Sequence, residues 1–165
     1  MDTQSIIKAI QTAREQSKER KFSQSVDLVV SLKGLNLKNP DEQVEFFVGL
    51  PHSIGKKRKV CALVGPELVD KAKDACDKVI TAGEFDQYKD KKALKKLANE
   101  YDYFVAQADI MPKVAAAFGR ALGPRGKMPN PKAGCILPPK ASVEPVVGHL
   151  QKLAKVSAKK QLAIQ

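Results

Sequence analysis

The chain predicts an α/β protein of two domains, one inserted into the other, and three observations lead there. Val60-Cys61-Ala62-Leu63-Val64 is a continuous apolar run, the pattern of a strand covered on both faces of a parallel sheet. From that run to Leu122, strand and helix patterns alternate as β-α-β-α-β-α, which favours right-handed crossovers around a small sheet. Before Pro51-His52-Ser53 the texture differs, with apolar and polar residues alternating as in half-exposed strands. A doubly wound, parallel-sheet insert over residues 53–135 is therefore expected. Residues 1–52 and 136–165 would form a discontinuous outer domain.

Each element has its own warrant. Ile6, Ile7, Ile10 and Ala13 make one face of an amphipathic helix over 3–17, capped by Asp2 or Thr3. From Ser25 to Lys33 the period drops to two: Val26, Leu28, Val30 and Leu32 face one way, Ser25, Asp27, Ser31 and Lys33 the other. Val44, Phe46, Val48 and Leu50 alternate again as a second strand. After the apolar run, Pro66 opens a helix to about Ala75, Pro being tolerated in a first turn. Val79-Ile80-Thr81 reads as a short strand, 91–99 as a basic helix, 103–108 as a strand and 112–122 as a helix. Beyond the Pro138-Pro139 joint a helix is expected over about 143–153, then a strand near 162–164.

Charge narrows the partners. The 165 residues carry 29 Lys plus Arg against 18 acids, a net +11, with a pI near 9.6. That excess favours a polyanion, nucleic acid or an acidic membrane face, although a solvated basic surface would also produce it. No apolar run is long enough to cross a bilayer and no signal pattern opens the chain, so a cytoplasmic protein without a membrane partner is expected. Cys61, Cys76 and Cys135 are widely spaced, with no C-x-x-C pair, and read as buried or inert thiols rather than zinc or disulfide partners.

The most informative segment is Leu122-Gly123-Pro124-Arg125-Gly126-Lys127-Met128-Pro129-Asn130-Pro131-Lys132-Ala133-Gly134. Its glycines and prolines exclude regular helix and favour a fixed, irregular path. Arg125, Lys127 and Lys132 ride on that path; a long polar connection would look similar. This segment resembles the signature of the ribosomal "L-one" family, RNA-binding proteins of the large subunit's mobile stalk, in its archaeal style. Three further pieces match in order. Lys21-Phe22-Ser23-Gln24-Ser25-Val26-Asp27 resembles the family's first RNA-contact strand. Leu50-Pro51-His52 with Gly55-Lys56 resembles its inter-domain hinge, and residues 103–111 its third central strand. The likeness runs from near Met1 to about Leu153.

The resemblance implies an outer RNA-binding domain built from both chain ends, with an inserted Rossmann-like domain hung on two hinge strands. It implies a structural constituent of the large ribosomal subunit that binds a helix–loop of large-subunit rRNA. Assisted release of exit-site tRNA is implied too, as is repression of its own mRNA through a mimic of the site in the leader. A free-standing regulatory RNA-binding protein is the alternative. Carried over residue by residue, RNA contacts fall on Lys21, Phe22, Ser25, Asp27, Lys56 and Arg58. The chemistry suits them: Ser25 and Asp27 share a strand face that can meet ribose hydroxyls, Lys21 can meet phosphate, and Phe22 offers a flat surface. Without the resemblance Phe22 would read as core, and Ser53 to Lys59 as a solvated basic loop. The inter-domain loop comprises Gly123, Arg125, Gly126, Lys127, Met128 and Lys132, close to the cleft, with hinges at His52, Ser53 and Gly134. The family usually has Gly where Ser53 stands. Its members also continue past Gln165 through another helix and a strand with a Thr-Met-Gly motif. The expectation is an incomplete piece of a longer product, with an outer layer short of one strand and half its RNA contacts.

An enzyme is disfavoured. The turn Gly65-Pro66-Glu67-Leu68-Val69 has one glycine where a dinucleotide site needs G-x-G-x-x-G, and Glu84 alone does not replace the others. The Walker lysine pattern is absent, and neither His52 nor His149 belongs to a nucleophile motif. No cofactor and no metal are expected.

Overall fold

The computed structural model describes residues 2–164 apart from Ser23, Ser25, Val26, Ile54, Lys140, Ala141, Lys159 and Lys160, and describes only the backbone of Lys89. Its centre is a four-stranded parallel sheet formed by β3 (Val60–Val64), β4 (Lys78–Thr81), β5 (Tyr103–Gln107) and β6 (Ile136–Leu137). The strand order is β4-β3-β5-β6. Period-two geometry sends successive side chains of β3 to opposite faces. Cys61 and Leu63 join a cluster with Leu94, Leu97, Phe104 and Phe118. Val60, Ala62 and Val64 join the other, with Leu68, Val105, Leu137 and Leu150. Helices α3 (Lys91–Glu100) and α4 (Met111–Leu122) cover the first face. Helices α2 (Val69–Ala75) and α5 (Glu144–Gln151) cover the second. Every residue of β3 is buried, as the apolar run predicts, and each large side chain so enclosed is worth about 1.5–3 kcal/mol.

The sheet's core reaches further along the chain than the expected boundary at Cys135. Ile136 and Leu137 pair with Ala106 and Gln107, and Val143, Leu150 and Leu153 are buried in the second cluster. The reason is apolar content: these side chains need a cover, and the second face of the sheet needs a fourth flank. Two other expectations are corrected. The helix placed over 143–153 ends at Gln151, and Leu153–Ala158 forms a strand, β7, paired antiparallel with β2 (Val44–Gly49) from Val44↔Ala158 to Gly49↔Leu153. Among the described residues of the strand placed over 25–33, β1 covers Val30–Ser31 and pairs with β8 (Ala163–Ile164). Alternation marks which side chains share a face; it does not fix the length of a ladder.

At the amino end, α1 (Thr3–Gln16) forms as the stripe predicts, with the Asp2 carboxylate accepting from the Gln4 N–H at 3.4 Å. None of its residues is buried. The helix expected from Pro66 starts as a 3-10 turn over Pro66–Leu68 before α2. The remaining expected strands and helices fall within one or two residues of their predicted ends, the usual uncertainty of such boundaries.

Candidate nucleic-acid interface

The predicted contact segment follows α1 directly. Ser17 closes the helix, its N–H donating to the Arg14 carbonyl and its hydroxyl to the Ala13 carbonyl. Lys21, Phe22 and Asp27 then lie in chain without regular structure, and all three are exposed. Phe22 is 66% exposed and Leu28 76%, so the reading of Phe22 as core is excluded. Ser25 lies outside the described residues. The side-chain amide of Gln24 donates to the Lys18 carbonyl at 3.3 Å, drawing the two ends of this short stretch together.

The basic run after the hinge divides by role. Gly55 takes φ 82, a left-handed conformation suited to glycine. Lys56 is exposed. Lys57 reaches Asp77 at 3.5 Å, but with its side chain 81% exposed that pair contributes little. Arg58 is more firmly held. Its guanidinium lies 3.6 Å from the Asp102 carboxylate, and its backbone N–H and C=O both bond the Gln151 side-chain amide at 2.8 Å. Asp102 also accepts from the Lys59 N–H at 3.1 Å. The Gln151 amide thus acts as one residue of a strand, tying the end of α5 to the entry of β3. His52 and Ser53 are exposed. Gly134 adopts φ 70 at the end of a short 3-10 turn, as a left-handed cap requires. The His149 ring lies beside both Gly49 and Gly134, about 3.9 and 3.8 Å from where a Cβ would stand on each, so this imidazole sits between the two chain passages.

The loop from Gly123 to Gly134 is pinned from within. A Cβ on Gly123 would stand 2.7 Å from the Gly119 carbonyl oxygen, too close for any side chain. Gly126 takes φ 63, and Met128 packs against the first core cluster. Lys127 Nζ donates to the Ala98 and Tyr101 carbonyls at 2.9 and 2.7 Å, satisfying acceptors at the carboxyl end of α3 where a cation also suits the helix dipole. Arg125 bonds Asn99 Oδ1 at 3.2 Å and the Ala121 carbonyl at 3.1 Å, doing the same for α4. Asn130 Oδ1 accepts from the Lys132 N–H at 2.9 Å, and the Lys132 side chain is exposed. Of the loop's three cations, two hold helix ends together and Lys132 faces outward.

This loop meets the β2–β7 ribbon. A small cavity of about 70 Å³ lies between Lys127 and Met128 on one side and Phe47 and Lys155 on the other. Lys155 pairs with Glu45 at 3.0 Å, lies 6.0 Å from the Phe47 ring centre, and would stand 3.3 Å from a Cβ on Gly126. Gln151 and Lys155 were not singled out from the sequence. The alternation of Ala154, Val156 and Ala158 with Lys155 and Ser157 was the signal that could have found the latter.

At the place where related folds bind nucleotides, the backbone donor is already engaged. The sheet order changes direction between β3 and β5, and ligands of open α/β sheets bind at the carboxyl ends of such strands. Here the Gly65 N–H donates to Gln107 Oε1 at 2.9 Å, and Gln107 is 4% exposed. The Glu84 carboxylate accepts from the Thr81 N–H at 2.9 Å in a capping box, which holds its pKa below the usual value. Burial pushes the Cys61 thiol up to about 12 and Cys76 up to about 11, so both stay protonated and unreactive near neutrality. Among the described residues there is no cluster suited to a metal ion, and no helix is long and apolar enough to cross a membrane.

Comparison with known proteins bears on this surface. Residues 13–164 match the model of the ribosomal protein L1p/L10e family. A large ribosomal subunit protein uL1 of Methanobrevibacter smithii is 42% identical over 165 residues, covering 99% of this chain and 76% of that protein. The proteins of the same name from Methanothermococcus thermolithotrophicus and Archaeoglobus fulgidus are 39% and 37% identical, over 96% and 94% of this chain and 73% and 71% of theirs.

Proposed function

The chain belongs to the L1p/L10e family of ribosomal proteins, and on that premise we propose that it grips a helix–loop of large-subunit rRNA at the mobile stalk. Membership makes it a structural, non-enzymatic protein of the large ribosomal subunit. The observation that carries the finer reading is the exposure of Phe22 beside Lys21, with Asp27 close along the same open segment. An aromatic ring in solvent is costly for a monomer but useful to a partner offering sugars or bases. Lys21 and Lys56 would meet phosphate and set the salt dependence, while Asp27 would accept from ribose hydroxyls. Arg58, paired with Asp102, would make its RNA contact at the edge of the hinge.

In this reading the strand pairs form the gripping lobe, and the parallel-sheet unit is the lobe that swings at His52 and Ser53; Gly134, ahead of β6, lies within that unit. Such a swing would carry the loop of Gly123, Gly126, Met128 and Lys132 beside departing exit-site tRNA. Repression of its own mRNA would use the same surface on a leader that copies the rRNA site, and the setting would be cytoplasmic. The test is titration of stalk rRNA and a scrambled duplex at several salt concentrations. Phe22→Ala with Asp27→Ala should abolish the preference for stalk RNA while leaving the salt slope within about one unit. An unchanged preference would overturn the assignment of these residues.

A further inference from the structure

A groove of about 830 Å³ opens between α3, α4 and the 3-10 turn Ala82–Lys89. Its floor is apolar and shallow-chained: Ala116, Ala117 and Ala121 of α4, flanked by Leu94 of α3. Its rims are cationic, with Lys91 and Lys95 on α3 facing Lys113 and Arg120 on α4, and all four are exposed. Asp86 is the one acid on the lining, and Arg125 adds a fifth cation at one end. Neither the stalk-RNA surface nor the hinge uses this face.

Two polyanions fit the charge, and the floor decides between them. A phosphate backbone would satisfy the rims but leave the alanine floor uncovered. Stacked bases would need an open ring face; the aromatics in the lining are Phe85, 6% exposed, and the part-buried Tyr88, and both are engaged with Phe118. Phe85 meets Phe118 edge-on at 5.1 Å, while Tyr88 packs against Phe118 with Lys78 over its ring at 5.6 Å. An amphipathic helix satisfies both features. Apolar residues at i, i+3, i+4 and i+7 would cover the floor, short alanines would let its axis come close, and acidic flanks would meet the rims. We propose that this groove docks an acidic amphipathic helix of a partner protein.

The test uses the full ¹⁵N-labelled chain and a short helical peptide with leucines at i, i+3, i+4 and i+7 and glutamates elsewhere. The peptide should bind saturably and shift amides of α3, α4 and the 82–89 turn. The double reversal Lys95→Glu with Arg120→Glu should weaken it roughly tenfold or more. Lys71→Glu with Lys73→Glu, on α2 across the sheet, should change binding less than about twofold. Equal losses for the two pairs would mean mere net-charge attraction and overturn the site. So would equal binding of a peptide with lysines in place of the glutamates, or absence of saturable binding. Displacement of the peptide by oligouridylate, with shifts at the same amides, would reassign the groove to nucleic acid.

Discussion

Strand β3 and helix α1 both carry a run of aliphatic side chains, and they meet opposite fates. All five residues of β3 are buried between two layers of helices. In α1, Ile6, Ile7 and Ile10 stand 44%, 51% and 51% exposed, and Phe22, Leu28 and Val29 beyond it are more exposed still. Periodicity tells which face of an element would be covered; it does not supply the cover. A helix of 14 residues with no buried side chain is marginal in water, because most helical stability in proteins comes from packing its apolar face. The parallel-sheet unit therefore holds itself together, while the amino-terminal arm carries the open chemistry.

That contrast breaks first if hydrogen exchange does not divide along it. Amides of Leu63 and Val105 should be protected at least about a thousandfold more than those of Ile10 and Val30. Comparable protection in α1 would show cooperative packing of the arm. Next in size, Phe118→Ala should cost about 3–5 kcal/mol in urea unfolding, since it empties the first cluster and removes the edge-on contact with Phe85. Phe22→Ala should change stability by less than about 0.5 kcal/mol, its ring having little burial to lose.

A third test uses pH. The Cys61 thiol rises from an ordinary value of 9.0 to about 12 on burial. A raised folded pKa means that its contribution to stability is complete below pH 9 and is lost as pH climbs towards 12. Urea midpoints should fall across that window, and less steeply in Cys61→Ala. A further test concerns the loop. Lys127→Met should cost about 1–3 kcal/mol by leaving the Ala98 and Tyr101 carbonyls without their charged donor, and should leave the salt dependence of RNA binding unchanged. A shallower salt slope would make Lys127 a phosphate contact instead.

What the sequence made legible follows the range of the forces involved. The apolar run of β3, the stripe of α1 and the cap at Asp2 are local patterns, and each formed where expected. Strand β7 escaped notice because its leading Leu153 also continues the spacing of α5, and only pairing with β2 separates the two. The fate of Lys127 could not be read locally either, since its acceptors lie on residues 26 and 29 positions away. Resemblance, not local pattern, put Phe22 and Lys21 forward as contacts, and both are exposed. It also grouped Arg125 and Lys127 with Lys132, whereas two of these three cations spend themselves on helix ends.

The buried amide of Gln107 has a consequence for what the fold can become. Where kindred sheets leave a port for a cofactor's phosphates, this one installs a plug of its own, and removing it would orphan the Gly65 donor in a dry site. The donor that a phosphate would seek is thereby already engaged, and what this architecture presents to other molecules is its exterior.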